Sequence, residues 1–359
     1  MRWGFFSPRR LLAFAGLAVL GVVGAVVAHG SIVGAGSKPP PLLTWRPPGW
    51  DGSGSPANPA NYPGYRVINA PQGGGVVQLQ SGVDYFIRLG HPQWSSQASG
   101  DSRLEFVGGR NRVIVGGQVD AKPTNLSDDI RSLLFTGGDR GAITHIEGVA
   151  INSLNGITIR SPEIFQIENC RIDVENLNHD SSTGLHPDVI QTWDQGPAIV
   201  RIDRLTGITD FTGLSVLMPP DPISVTAHHV NLRELTNGPL TYFGGDHTTK
   251  WIGDVWYDTG WWSRSYRQKL DDVISYGKSG PPYELHGKHG ALFRSADPVA
   301  HPAGNGTRPR NLGRRPGDTM TWSRVPALSA FTAHFGVPPG GDFVPPDVAG
   351  VGYVSPGYK

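Results

Sequence analysis

The chain has 359 residues, enough for one long solenoid with its ends or for two ordinary domains. Gly (49) and Pro (31) together exceed a fifth of it and charged residues are only 17%, which favours a turn-dense β protein over a helical one. A net charge of +1 argues against a global footprint for nucleic acid or a membrane surface, leaving contact with a membrane only to the N-terminal segment.

Residues 1–36 read as a signal peptide or membrane anchor. Arg2, Arg9 and Arg10 precede an uncharged apolar run from Leu11 to Ala28, with small residues at Val26-Val-Ala28. The run also just suffices to span a bilayer, so a cleaved signal and a retained anchor both stand. Either way the arginines stay inside and the rest is exported: secreted, periplasmic, or anchored facing outward. Residues 37–64, rich in Pro, Gly, Ser and Asn, read as an extended linker. Alternation resumes in Val67-Ile68, Val76-Val-Gln-Leu79 and Tyr85-Phe-Ile-Arg-Leu89, as expected of a first coil or cap.

From there one short pattern recurs. Ile114-Val-Gly-Gly-Gln-Val119, Ile146-Glu-Gly-Val-Ala-Ile151 and Ile167-Glu-Asn-Cys-Arg-Ile172 are its first three copies. Ile202-Asp-Arg-Leu-Thr-Gly207, Ala227-His-His-Val-Asn-Leu232 and Ile252-Gly-Asp-Val-Trp-Tyr257 complete it. The template is apolar, polar, then Gly, Asn, His, Asp or Arg, then apolar, any residue and apolar. Their starts lie 21 to 35 residues apart, the spacing of a solenoid whose longer turns carry inserted loops. A second strand precedes each copy, for example Leu133-Leu-Phe-Thr-Gly137 and Val189-Ile-Gln-Thr-Trp193, and no helical pattern lies between them. Residues 65–260 are therefore expected to form a parallel β-helix. Cys170 is the only cysteine, so no intramolecular disulfide can form; its apolar template position makes it a buried small hydrophobe.

Residues 261–295 read as a C-terminal cap, with Tyr266, Leu270, Val273 and Ile274 spaced for a short cap helix over Ser263 to Tyr276. Trp251, Trp256, Trp261 and Trp262 gather at the end of the repeat, where they would seal the core or stack on sugar rings. Residues 296–359 form a Pro- and Gly-rich tail, ordered by docking or disordered.

The coil period, the apolar stacks and the Asn/Gly turn position over roughly 65–260 resemble the pectin-lyase-like superfamily of right-handed parallel β-helix proteins. The resemblance implies an all-β, single-stranded right-handed parallel β-helix with capping ends. It also implies a polysaccharide partner, since the superfamily includes polysaccharide lyases, glycoside hydrolases and epimerases beside tailspikes and non-catalytic surface proteins. The polygalacturonase Asn-Thr-Asp, Asp-Asp and Gly-His-Gly set is missing, as are the pectate-lyase Arg-x-Pro-x-x-Arg and epimerase Asp-Pro-His motifs. No enzymatic subfamily is therefore assigned.

The most distinctive polar stretch is Gly184-Leu-His-Pro-Asp-Val-Ile-Gln191, which follows the polar insertion from Asp173 to Leu185 and resembles an element of uncharacterised bacterial members of that superfamily. Loops projecting from a rigid solenoid are where function concentrates. As a site, His186 would transfer protons with Asp188 orienting it. His179 is a second base candidate, and Gln191, Arg160, Arg201 and Tyr242 would bind substrate, with Arg171 or Arg204 as further sources of positive charge. As anchors, His186, Asp188 and Gln191 would instead hydrogen-bond the inserted loop. Asp173, Glu175, Asp180 and Asp188 could offer oxygens to Ca²⁺, but no fixed-spacing metal motif occurs and no cofactor is expected. His228 and His229, adjacent on a strand, are expected on opposite faces.

Two function classes follow. One is a lyase eliminating across an acidic glycan, with two-carboxylate hydrolysis as its enzyme variant. The other is a non-catalytic surface or envelope protein whose solenoid presents a recognition face.

Overall fold

The computed structural model describes residues 41–94, 103–121, 131–174, 187–192, 196–209, 212–216, 224–234, 241–242, 250–259, 319–321 and 330–359. The first turns of the chain are β1 (Arg66–Asn69), β2 (Gly75–Leu79), β3 (Tyr85–Arg88), β4 (Gln93–Trp94) and β5 (Arg103–Gly108). β6 (Arg112–Val115), β7 (Gln118–Ala121), β8 (Arg131–Thr136), β9 (Ile143–Glu147), β10 (Ala150–Ser153) and β11 (Ile157–Arg160) repeat the course twice. The short pairs then fuse into single long strands alternating with short ones. These are β12 (Ile164–Val174), β13 (Asp188–Thr192), β14 (Ile199–Thr209), β15 (Thr212–Val216), β16 (Ser224–Glu234) and β17 (Thr241–Tyr242). β18 (Lys250–Thr259), β19 (Thr319–Thr321) and β20 (Ala330–Phe335) complete the set.

Strands of successive turns lie side by side. β1, β3, β6, β9, β12, β14, β16, β18 and β20 follow one another in parallel along the larger sheet, with β19 antiparallel to β20 at its edge. β2, β5, β8, β11, β13, β15 and β17 form a second, wholly parallel sheet. The protein is thus all-β, with long parallel sheets of solenoid type. Among the described residues its one helical element is the turn Pro59–Asn61. The expected cap helix at 263–276 lies outside the described residues.

The repeated pattern has a clear physical origin. Its first position forms an inward stack in register, Ile146–Ile167–Ile202–Ala227, all at most 1% exposed. Its third position is a corner where the strand changes face. Gly116, Gly148, Asn169, Arg204 and His229 occupy it with φ between 50 and 71°. Only glycine takes this left-handed region freely, and Asn tolerates it better than most. After the corner the inward stack resumes as Val149, Cys170, Leu205, Val230 and Val255. Cys170 is fully buried, and burial pushes its thiol up to about 12, where it is an unreactive apolar filler. Each such Ile, Leu or Val contributes roughly 1.5–3 kcal/mol by leaving water.

The flanking segments lie against this stack. Residues 41–65 run along the larger sheet: Leu43 is fully buried, and Tyr62 packs its ring 4.9 Å from Phe86. The tail region supplies β19 and β20, with Phe331 sealing Trp251 at 5.4 Å. Residues 336–359 then fold back over the corners. Gly350 accepts from Gly117 and donates to Gly148 (3.0 and 2.8 Å). Leu43 and Tyr358 finally pair as a parallel bridge, closed by Leu43 N–H to Gly357 O (2.8 Å) and Lys359 N–H to Leu43 O (3.0 Å).

Candidate functional site

The second position of the repeat, just before the corner, carries the densest chemistry. Glu147, Glu168, Asp203 and His228 occupy it in register on β9, β12, β14 and β16. Equivalent side chains on adjacent strands lie about 4.8 Å apart, so three carboxylates stand in one column. Left unpaired, such a column would be strongly destabilising. The segments at 43–45 and 353–359 cover it with donors.

Glu147, fully buried, accepts from the Tyr353 hydroxyl (2.6 Å), from the Tyr358 hydroxyl and from His145 Nε2 (3.3 Å). Burial alone would raise its pKa, but the bond and charge of His145 outweigh that and hold it below the usual range. His145 in turn is raised, because Glu147 and Glu168 overcome its own burial. Glu168 accepts backbone N–H groups from Thr44 (2.8 Å) and Trp45 (3.1 Å). Burial dominates, and the charge of His145 and these two N–H bonds only partly offset it, so its carboxyl is pushed up to about 7. Asp203 accepts from the Thr44 hydroxyl and from His229 Nδ1 (2.7 Å), and these bonds outweigh burial to keep it low.

The last pair differs from the others in access. The Asp203 side chain is 3% exposed, whereas that of His229 is 54% exposed. Its bond to Asp203 raises the His229 pKa against partial burial. With Nδ1 bound to a carboxylate, the neutral ring carries its proton there and presents the Nε2 lone pair elsewhere. Arg204 occupies the same corner one strand away. Among the described residues it donates to two neutral acceptors, Asn169 Oδ1 (3.3 Å) and Phe343 O (3.2 Å). A buried acid, an exposed imidazole and a neighbouring guanidinium can together remove a proton and stabilise the negative charge that results. The left-handed corner makes this arrangement. It breaks the two-residue alternation, so His228 and His229 are both partly exposed (41% and 54%) where opposite faces were expected.

The residues singled out from sequence are distributed differently. His179 and His186 lie outside the described residues. Asp188 and Gln191, each 1% exposed, sit on β13 in the smaller sheet. Gln191 accepts from Arg131, whose guanidinium also reaches Thr158 Oγ1 (3.4 Å). Register stacks Thr158, Gln191, Ser215 and Tyr242 in one row, so Gln191 and Tyr242 share it. Arg160 is exposed on the same sheet, two residues further along its strand. Arg201 belongs to the other sheet, in register with Gln166 and Thr226. Among the described residues no three His, Cys, Asp or Glu side chains gather for a metal ion.

Glu147, Glu168 and Asp203 were not singled out from sequence, although acids at one template position in three consecutive turns were a readable signal. No protein-family model, curated protein or solved structure matches the chain.

Proposed function

We propose that the protein is an exported, right-handed β-helix of pectin-lyase-like type that acts on an acidic polysaccharide by elimination. One observation carries the reading: an exposed His229, bound through Nδ1 to a buried Asp203 at 2.7 Å, with Arg204 in the adjacent corner position. Arg204 would hold the uronate carboxylate and stabilise the charge that builds on it. His229 Nε2 would take the proton from C5, next to that carboxylate, and the electron pair would form the C4–C5 double bond as the C4–O bond breaks. The departing sugar oxygen then takes up a proton from the imidazolium or from water. Asp203 would stabilise the imidazolium while it exists. The polymer would run along the coils, where parallel strands repeat equivalent positions.

The test is turnover of a panel of uronate polymers, read as ultraviolet absorbance of the unsaturated product and as new reducing ends. His229→Ala should abolish turnover and Asp203→Asn should lower it by about 10²–10⁴-fold. Undiminished turnover in His229→Ala overturns the assignment of the base. Reducing ends without absorbance would point to hydrolysis, and binding without turnover would point to a recognition protein.

A further inference from the structure

We propose that Thr44, on the segment preceding the solenoid, is a positioning residue that fixes Asp203 in the orientation His229 requires. This rests on the reading of His229 as the base, and adds to the site a residue from a distant part of the chain.

The geometry is specific. Thr44 touches two neighbouring acids by two different groups. Its backbone N–H donates to Glu168 Oε1 (2.8 Å), and its hydroxyl donates to Asp203 Oδ2. The other Asp203 oxygen, Oδ1, is the one that accepts from His229 Nδ1 (2.7 Å). The carboxylate is therefore gripped from both sides, one oxygen each. A single bond would leave it free to rotate about its terminal torsion, which is broad and roughly two-fold. The ammonium of Lys359 approaches the Thr44 oxygen at 3.5 Å. An ammonium can only donate, so it occupies a lone pair of that oxygen and leaves the hydroxyl proton for Asp203. Thr44 itself is held without its side chain: Leu43 is locked between Gly357 and Lys359 by backbone bonds, and Trp45 N–H donates to Glu168 (3.1 Å). Loss of the hydroxyl alone should thus leave the segment docked and only free the carboxylate.

The ionisable groups around His229 come from several elements. Asp203 and Arg204 belong to β14, His228 to its own strand, and Asp254 to β18. Glu168 and Lys359 reach it only through Thr44 and Asp203. Hydroxyl removal changes none of these charges. A purely structural role for Thr44 would leave the imidazole titration where it is.

The test is nitrogen-15 NMR of the full chain, with the His229 ring assigned by its loss in His229→Gln. In the unaltered protein the neutral ring should be the Nδ1–H tautomer, with a pKa above that of free histidine. Thr44→Val should give a tautomer mixture and a lower pKa, by about half a unit or more. Thr44→Ser, which keeps the hydroxyl, should restore both. Amide protection at Leu43 and Trp45 reports docking in each variant. If Thr44→Val undocks the segment, Thr44→Ala, which removes the hydroxyl without a methyl in its place, supplies the comparison. An unchanged or higher pKa with the segment docked overturns the proposal. So does undocking in both variants, because Thr44 would then be an anchor. Where a uronate polymer is turned over, Thr44→Val should lower kcat by roughly tenfold with KM unchanged. If no glycan is turned over, the elimination reading fails while the NMR result still decides the role of Thr44.

Discussion

Glu168→Gln should make the protein more stable above neutral pH. Glu168 is fully buried in the middle of the acid column, and its pKa is pushed up from 4.5 to about 7 chiefly by burial. An acid with a raised folded-state pKa binds its proton more tightly when folded. The native state is therefore penalised as pH rises from 4.5 to about 7, and the full penalty persists above that. A shift of this size corresponds to about 3 kcal/mol. Gln in the same rotamer keeps a carbonyl oxygen for the Thr44 and Trp45 N–H groups, so most of the hydrogen bonding survives. His145, whose own pKa is raised partly by Glu168, loses one stabilising neighbour and returns some of the gain. The expected net effect is a stabilisation of roughly 1–3 kcal/mol at pH 8 and little change at pH 4. Urea midpoints of both proteins from pH 4 to 9 measure it. A variant less stable than the parent at pH 8 would refute the reasoning, since it would mean that the ionised carboxylate, not its proton, holds the covering segment.

Two further changes probe what holds the stack and its cover. Arg112 is fully buried, paired with Glu163 and bonded to Thr144 (2.9 Å), beside the rings of Phe135 and Phe165. Arg112→Met alone should cost about 3–5 kcal/mol by stranding the Glu163 charge, and adding Glu163→Gln should recover much of that in chemical denaturation. Gly148→Ala should cost roughly 1–3 kcal/mol, because φ is +65° and a Cβ would lie 2.1 Å from the Tyr353 ring. Its effect should be clearly less than additive with Tyr353→Ala, and strict additivity in that double-mutant cycle would show that the ring is not displaced.

The stack was legible in the sequence because its requirements are local. Isoleucine at most first template positions, and glycine or asparagine at the third in the first three copies, state directly what an inward stack and a left-handed corner need. Cys170 could be placed by the same alignment. The fold-back of residues 336–359 was not legible, since it carries no periodicity: its contacts are backbone bonds, such as Gly350 to Gly148, and polar ones, such as Asp342 to Arg171 (3.1 Å) and Asn231 (3.0 Å). The histidine pair was misjudged for a related reason. Strict alternation assumes extended backbone, and His229 sits at φ 50°. The acid column was visible only when turns were compared position by position, whereas the polar insertion at 173–185 drew attention as a contiguous run.

The cover also explains where the exposed dyad lies. In a solenoid each turn contacts mainly its neighbours, so distant turns are coupled weakly and unzip from the ends. With no disulfide to tie them, the two flanking segments do so. Residues 342–344 bind Arg171, Arg204, Thr206 and Asn231 on three consecutive long strands, and Gly350 joins the turns before them. Residues 44–45 bridge Glu168 and Asp203. The column of polar groups at the second position is thus buried as far as the cover reaches, from Glu147 to Asp203. One strand further it emerges as His228, beside His229 at the corner. Asp203 is the last acid under the cover and His229 is an exposed base within reach of it. That boundary gives the imidazole both a dry carboxylate on one nitrogen and a ring left about half exposed, a combination that neither the fully covered Glu147–His145 pair nor the exposed His228–Asp254 pair (41% and 37%) provides.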